Sequence, residues 1–124
     1  MSQERTELPH ESWRAFFENL SSQYRGYGVT IESVSHEYGD QLEAEDLPLA
    51  SLEYDPTKDM LVVTVDGRHG SDRAVLRHMI AHPLRILADE ISDDVPWAIE
   101  VFAKDDAQTI VALHRRPGLP PPNE

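Results

Sequence analysis

Apolar residues recur along the chain with two different periods, and the change from one to the other divides it into elements. Trp13, Phe16, Phe17 and Leu20 fall at i, i+3, i+4 and i+7, a single stripe of an α-helix, while Glu11, Arg14, Glu18 and Asn19 occupy the other side. Pro9 ahead of this stripe and Gly26 behind it are start and stop signals, so the spacing predicts a helix from about His10 to Tyr24.

Beyond Gly26 the period drops to two. Tyr27, Val29 and Ile31 alternate with polar or small residues, which predicts a half-buried strand. Gly39-Asp40 is a turn. Leu42 and Ala44 then alternate with Gln41, Glu43 and Glu45, a second strand with an acidic outer face. Pro48 interrupts, and a third strand runs from Leu49 to Tyr54. Asp55-Pro56-Thr57-Lys58-Asp59 is a hairpin turn, with Asp to cap it and Pro to fix φ at its second position.

Met60 to Val65 is the most β-prone run, and its two alternating faces are both apolar enough to be covered. After the loop Asp66-Gly67-Arg68-His69-Gly70, Ser71 stands as an N-cap for a second short helix whose apolar face is Val75, Leu76, Met79 and Ile80, halted by Pro83. Further alternating strands are expected from Leu84 to Ala88, from Trp97 to Lys104 and from Thr109 to Leu113. The turns between them are Ser92-Asp93-Asp94 and Lys104-Asp105-Asp106-Ala107.

Hairpin-length loops require antiparallel pairing, because parallel neighbours need long crossovers. The expected fold is α+β: a single antiparallel sheet of about seven short strands, the N-terminal amphipathic helix packed on it, and the second short helix between strands. Residues 1–8 read as a flexible lead-in, 9–116 as one domain, and 117–124, with four of the nine prolines, as a disordered tail.

Composition narrows the function classes. The 124 residues carry 23 acidic and 11 basic side chains, a formal net charge of −12, and no cysteine. Such a charge repels phosphate backbones and anionic lipids, so direct nucleic-acid or membrane binding is not expected. Disulfides and thiolate ligands are ruled out. With no apolar run near the roughly 20 residues of a membrane span and no signal-like start, the expected location is cytoplasmic.

Leu8-Pro9 followed by Trp13-Arg14-Ala15-Phe16-Phe17, the central Leu47-Pro48-Leu49 with Tyr54-Asp55-Pro56, and His82-Pro83 ahead of a strand form a set that is similar to a small bacterial family of uncharacterised proteins, domain-of-unknown-function family 5335. The resemblance covers about Leu8 to Arg116. Its motifs are core and turn residues, and it implies no activity and no catalytic residue.

The most pointed chemical constellation is His78 and His82. On the expected second helix they would share a face, as a metal-ligating pair must, with His69 or Asp72 as third ligand. Met79 stands where a zincin has glutamate, so metalloprotease chemistry is excluded on this motif. The plainer reading has both histidines as surface or half-buried residues, with His82 interacting with the helix C-terminal dipole. Paired carboxylates occur at Glu43 and Glu45, Asp93-Asp94 and Asp105-Asp106. Turn chemistry explains the two Asp pairs, and Glu43 and Glu45 read as a solvated strand face that discourages edge pairing.

Nucleophile elbows, Ser-x-x-Lys, phosphate loops and dinucleotide fingerprints are absent, and no cofactor is implied. The leading expectation is therefore a non-enzymatic acidic accessory domain docking on a basic protein partner, with mimicry of a nucleic-acid backbone as one version. The alternative is a metal- or small-molecule-binding protein using His78 and His82. An exposed sheet edge would also allow a homodimer.

Overall fold

The computed structural model describes residues 5–35, 37, 39–67, 75–89, 97–104 and 107–115. Their order is β1 (Arg5–Glu7), a single 3-10 turn (His10–Ser12), α1 (Trp13–Tyr24), β2 (Gly28–Ser35), β3 (Gly39–Asp55), β4 (Met60–Asp66), β5 (Val75–Ala81), β6 (Pro83–Asp89), β7 (Trp97–Ala103) and β8 (Gln108–His114). The class is α+β, with one antiparallel sheet and one N-terminal helix packed on it.

The strands run in the order β1-β6-β7-β8-β2-β3-β4-β5. Near neighbours in sequence pair as hairpins, and β8 returns to lie beside β2, with Val29 opposite Leu113 and Ile31 opposite Val111. His82 alone separates β5 from β6, yet these strands lie at or near opposite ends of the order. Two Cα–Cα steps span no more than about 7.6 Å. The sheet must therefore coil until its ends meet at His82, which takes φ of 52° there.

The apolar face of α1 is Trp13, Phe17, Leu20 and Tyr24, all buried, and it packs across β3. Leu49, Leu52 and Tyr54 of β3, Leu61, Val63 and Val65 of β4, and inward residues of β2, β7 and β8 complete a single core. Ser21 fixes the helix on the sheet: its Oγ donates to Leu52 O (2.7 Å) and accepts from Leu52 N (2.5 Å). The helix ends where expected, at Gly26 in the left-handed region with φ of 89°.

Three expectations need correction. The segment read as a second short helix is β5, paired along its length with β4 (Met60 opposite Ala81, Val63 opposite His78). Its apolar residues Val75, Leu76, Met79 and Ile80 carry a helical spacing, and ladder pairing with the strongly β-prone β4 overrides it. The sheet has eight strands rather than about seven, partly because Arg5–Glu7, read as lead-in, pairs with Leu87–Asp89. Arg5 secures that edge through Nε to Asp89 Oδ1 at 2.7 Å and through Nη1 to Glu100 Oε1.

The third correction concerns β3, which is one long bent strand rather than two. Its first part pairs with β2 and its second part, from Leu49, with β4. Ile31 faces Ala44 but the next residue, Glu32, faces Leu42, so Glu43 is an extra residue on β3. A bulge of this kind shifts the period-two alternation by one. Ala44 is buried as expected, whereas Leu42 lies on the outside, 58% exposed. Pairing also steps from Val29–Leu47 to Ile31–Ala44 around Asp46, which has φ of 52° and pairs with His114 (Oδ1–Nε2, 3.3 Å). Those two side chains fill the space a Cβ on Gly28 would need, so that position requires glycine.

Candidate functional site

Two regions stand out by chemistry: an acidic arm, and the corner where the sheet ends meet. The arm is the end of the β2–β3 hairpin. Residues 39–43 are all exposed, so both faces of β3 are wet there. From residue 32 to residue 45 the chain has Glu32, Glu37, Asp40, Glu43 and Glu45 but no lysine or arginine. Because β4 pairs with β3 only from Leu49 onward, the outer edge of residues 39–45 has no ladder partner among the described residues. Glu43 and Glu45, both exposed, belong to this arm.

The corner joins residues that are distant in sequence. Asp59 follows the β3–β4 turn with φ of 50°, and its backbone carbonyl accepts from His82 N at 2.8 Å. Its carboxylate accepts from the Tyr54 hydroxyl (2.6 Å) and pairs with His82 Nδ1 (3.2 Å). Tyr54 Oη also lies 3.4 Å from His10 Nε2. The His10 and Trp13 rings lie 4.3 Å apart, tilted by 44°, and Trp13 meets Tyr54 edge-on at 5.2 Å. The indole N–H of Trp13 donates to Leu8 O.

Asp and His tolerate the left-handed region better than most residues, yet each such position stores strain. Here two of them are held by the bonds between their side chains and backbones. Burial, and after it the bond to Asp59, push the Tyr54 phenol up to about 12. The bond from Tyr54, then that from His82, hold the Asp59 carboxyl below its usual value. Both shifts favour one arrangement, a neutral phenol donating to a carboxylate.

Beside this corner, His78 and His82 line one cleft between β5 and the β7–β8 hairpin, together with Lys104 and Thr109. The two histidines thus share a concave surface, though not for the reason expected. Four residues along an extended strand cover about 13 Å, against the 5–6 Å of helical neighbours. Burial lowers the His78 pKa, with Glu43 acting in the opposite sense. Among the described residues no group of three or more His, Asp or Glu is placed to hold a metal ion. His69, Asp72, Asp93 and Asp94, and Asp105 and Asp106 lie outside the described residues.

Sequence reasoning did not single out the Asp59–Tyr54–His82–His10 network. Asp59 read only as the last residue of a turn, and His82 as a helix-end partner of His78 in a metal pair, not as a partner of Asp59. The one local signal was His82-Pro83: a proline right after β5 forces a break that the chain uses as its corner.

No helix among the described residues is long and apolar enough to cross a membrane. No solved structure matches the chain. It is 34% identical over 115 residues to an uncharacterized protein of Aquifex aeolicus, covering 93% of this chain and 95% of that one. Residues 4–122 match a family described as one of unknown function, DUF5335. The chain belongs to that family.

Proposed function

We propose that the domain is a non-enzymatic accessory that docks on a basic partner protein through the acidic arm of β3. The observation that carries this is the exposure of residues 39–43 on both faces, combined with an outer edge that has no ladder partner among the described residues. An open edge offers backbone N–H and C=O groups to an extended segment, which is the requirement for strand addition. Bare edges also invite unwanted pairing, and charge is the usual protection. Five carboxylates with no neighbouring lysine or arginine repel a second copy of the same arm. The same charges attract a lysine- or arginine-rich segment and accelerate its approach. Leu42 adds the apolar surface that gives such a contact a dry centre.

The test is affinity capture from native lysate at low and high salt, comparing the natural chain with Glu43→Lys/Glu45→Lys. A stoichiometric basic protein should be retained at low salt, released at high salt and absent from the charge-reversed variant. Retention that ignores both salt and charge reversal would sink the proposal.

A further inference from the structure

We propose that the groove between α1 and the end of β3 binds a short extended peptide segment carrying a lysine or arginine, its main chain pairing with that of Tyr54 and its cation meeting Glu53. Arg14 and Glu18 form the helix side of the groove, and residues 53–57 form its strand and turn side. Its volume of about 280 Å³ lies just under the range of small-molecule pockets, which suits a short segment better than a bulky ligand. The groove lies at the opposite end of β3 from the acidic arm.

A strand edge decides the class of ligand. Leu52 turns its main-chain N–H and C=O onto Ser21, whose hydroxyl accepts from one (2.5 Å) and donates to the other (2.7 Å). Along an antiparallel strand these groups alternate between the two edges, so every second residue points the same way. Pairing with β4 runs without a shift from Ser51 to Asp55, so Tyr54 turns its N–H and C=O to the same edge as Leu52. Glu18 and Arg14, about one and two turns before Ser21 on α1, flank Tyr54 in the groove. Among the described residues no side chain takes the part of Ser21 there. The ring of Tyr54 belongs to the core, so only its main chain is offered. A peptide group has both a donor and an acceptor, as the Ser21 hydroxyl does, whereas a simple cation has no acceptor and a carboxylate no donor. An added extended segment meets a strand edge in this way. Charge then sets the side chain. Glu18 pairs with Arg14 (3.5 Å), and Asp55 caps the turn by accepting from Thr57 N (2.9 Å). Glu53, exposed beside Tyr54, is the carboxylate left to meet a cation, and an acidic segment would face all three.

The experiment is an NMR titration of the isotope-labelled full chain with the blocked tripeptide acetyl-Ala-Lys-Ala-amide, and in parallel with its Ala-Glu-Ala counterpart and with butylammonium chloride. In the free chain the Tyr54 amide proton should exchange with solvent faster than those of Glu53 and Asp55, which the ladder with β4 holds. The lysine peptide should slow that exchange and give saturable shifts at Glu53, Tyr54 and Thr57, and the two controls markedly weaker ones. Glu53→Lys, an exposed position, should weaken the lysine peptide by about fivefold, because an attractive charge is replaced by a like one. A Tyr54 amide already protected in the free chain would overturn the proposal, since the chain would then fill its own edge. It is overturned equally by the absence of saturable shifts, by equal response to the glutamate peptide or to butylammonium, or by unchanged affinity in Glu53→Lys.

Discussion

From Leu49 to Tyr54, β3 runs through the interior beneath α1, with Leu49, Leu52 and Tyr54 buried; from Gly39 to Glu43 the same strand is exposed on both faces. Backbone conformation does not separate the halves, since both are extended and both are paired along at least one edge. The difference lies in what covers them. The inner half has β4 alongside and α1 across it, and it turns Leu49, Leu52 and Tyr54 toward a core. The outer half has β2 alone, and the bulge at Glu43 turns Leu42 outward. Strand structure thus persists where core packing has ended, sustained by pairing with β2, which is itself anchored to β8. Stability and recognition can then be assigned to different halves of one element.

The largest expected effect lies in the inner half. Leu52 is 1% exposed and sits directly under α1. Leu52→Ala should destabilise the domain by about 2–5 kcal/mol, the range for a buried leucine whose site cannot fully collapse. Equilibrium urea denaturation measures it. A loss below about 1 kcal/mol would mean that α1 settles into the space, and that the helix is held less firmly than the Ser21 bonds imply.

Ser21→Ala tests those bonds directly. It leaves the Leu52 N–H and C=O without their side-chain partner beneath the helix. Leaving a part-buried donor unsatisfied costs about 1–3 kcal/mol. The same denaturation curve, with an unchanged slope, should show the loss. Ser21→Ala combined with Leu42→Ala should add nothing further, because Leu42 lies outside the packed half.

The corner network predicts pH dependence at both extremes, with signs fixed by the two shifts. The phenol of Tyr54, raised to about 12, favours its neutral form on folding. Its contribution is fully present below the unfolded value of about 10 and is lost as pH rises through 12. The carboxyl of Asp59, lowered from 3.8, contributes above that value, and the contribution is lost as pH falls through its folded value. In Asp59→Asn the tyrosine should titrate nearer to 10, though not fully there, because burial is the larger cause. Ultraviolet titration of the phenol reads this, and an unmoved midpoint would show that the Tyr54–Asp59 bond is not made in solution.

These sites differ in how far they could be read from the sequence. The helix was legible because Trp13, Phe17 and Leu20 repeat over several turns and Gly26 ends it. β4 was legible because Met60 to Val65 is β-prone throughout. β5 was not: Val75, Leu76, Met79 and Ile80 carry a helical spacing, and the strand character comes from pairing with β4. The outward turn of Leu42 was hidden because a bulge leaves no mark on the alternation of Leu42 and Ala44. Tyr54 and Asp59 meet across the β3–β4 turn, and His82 joins them only where β5 pairs with β4 (Met60 opposite Ala81), so no single local pattern contains all three. The acidic run of the arm was visible as charge, but its freedom from a neighbouring strand depends on where β4 stops pairing.

The smallest expected change in stability separates the halves most sharply. Leu42→Asp replaces a leucine that is 58% exposed, so the folding free energy should move by no more than about 0.5 kcal/mol, as for ordinary surface substitutions. Binding should respond differently. The substitution adds a sixth carboxylate to the arm, which would strengthen a purely electrostatic contact with a basic partner. If Leu42 is the apolar centre of the interface, capture of that partner should instead fall while the denaturation midpoint stays in place. Increased capture would assign the arm to charge alone, and a lowered midpoint would show that Leu42 packs against the body of the domain and that the outer half of β3 is not free.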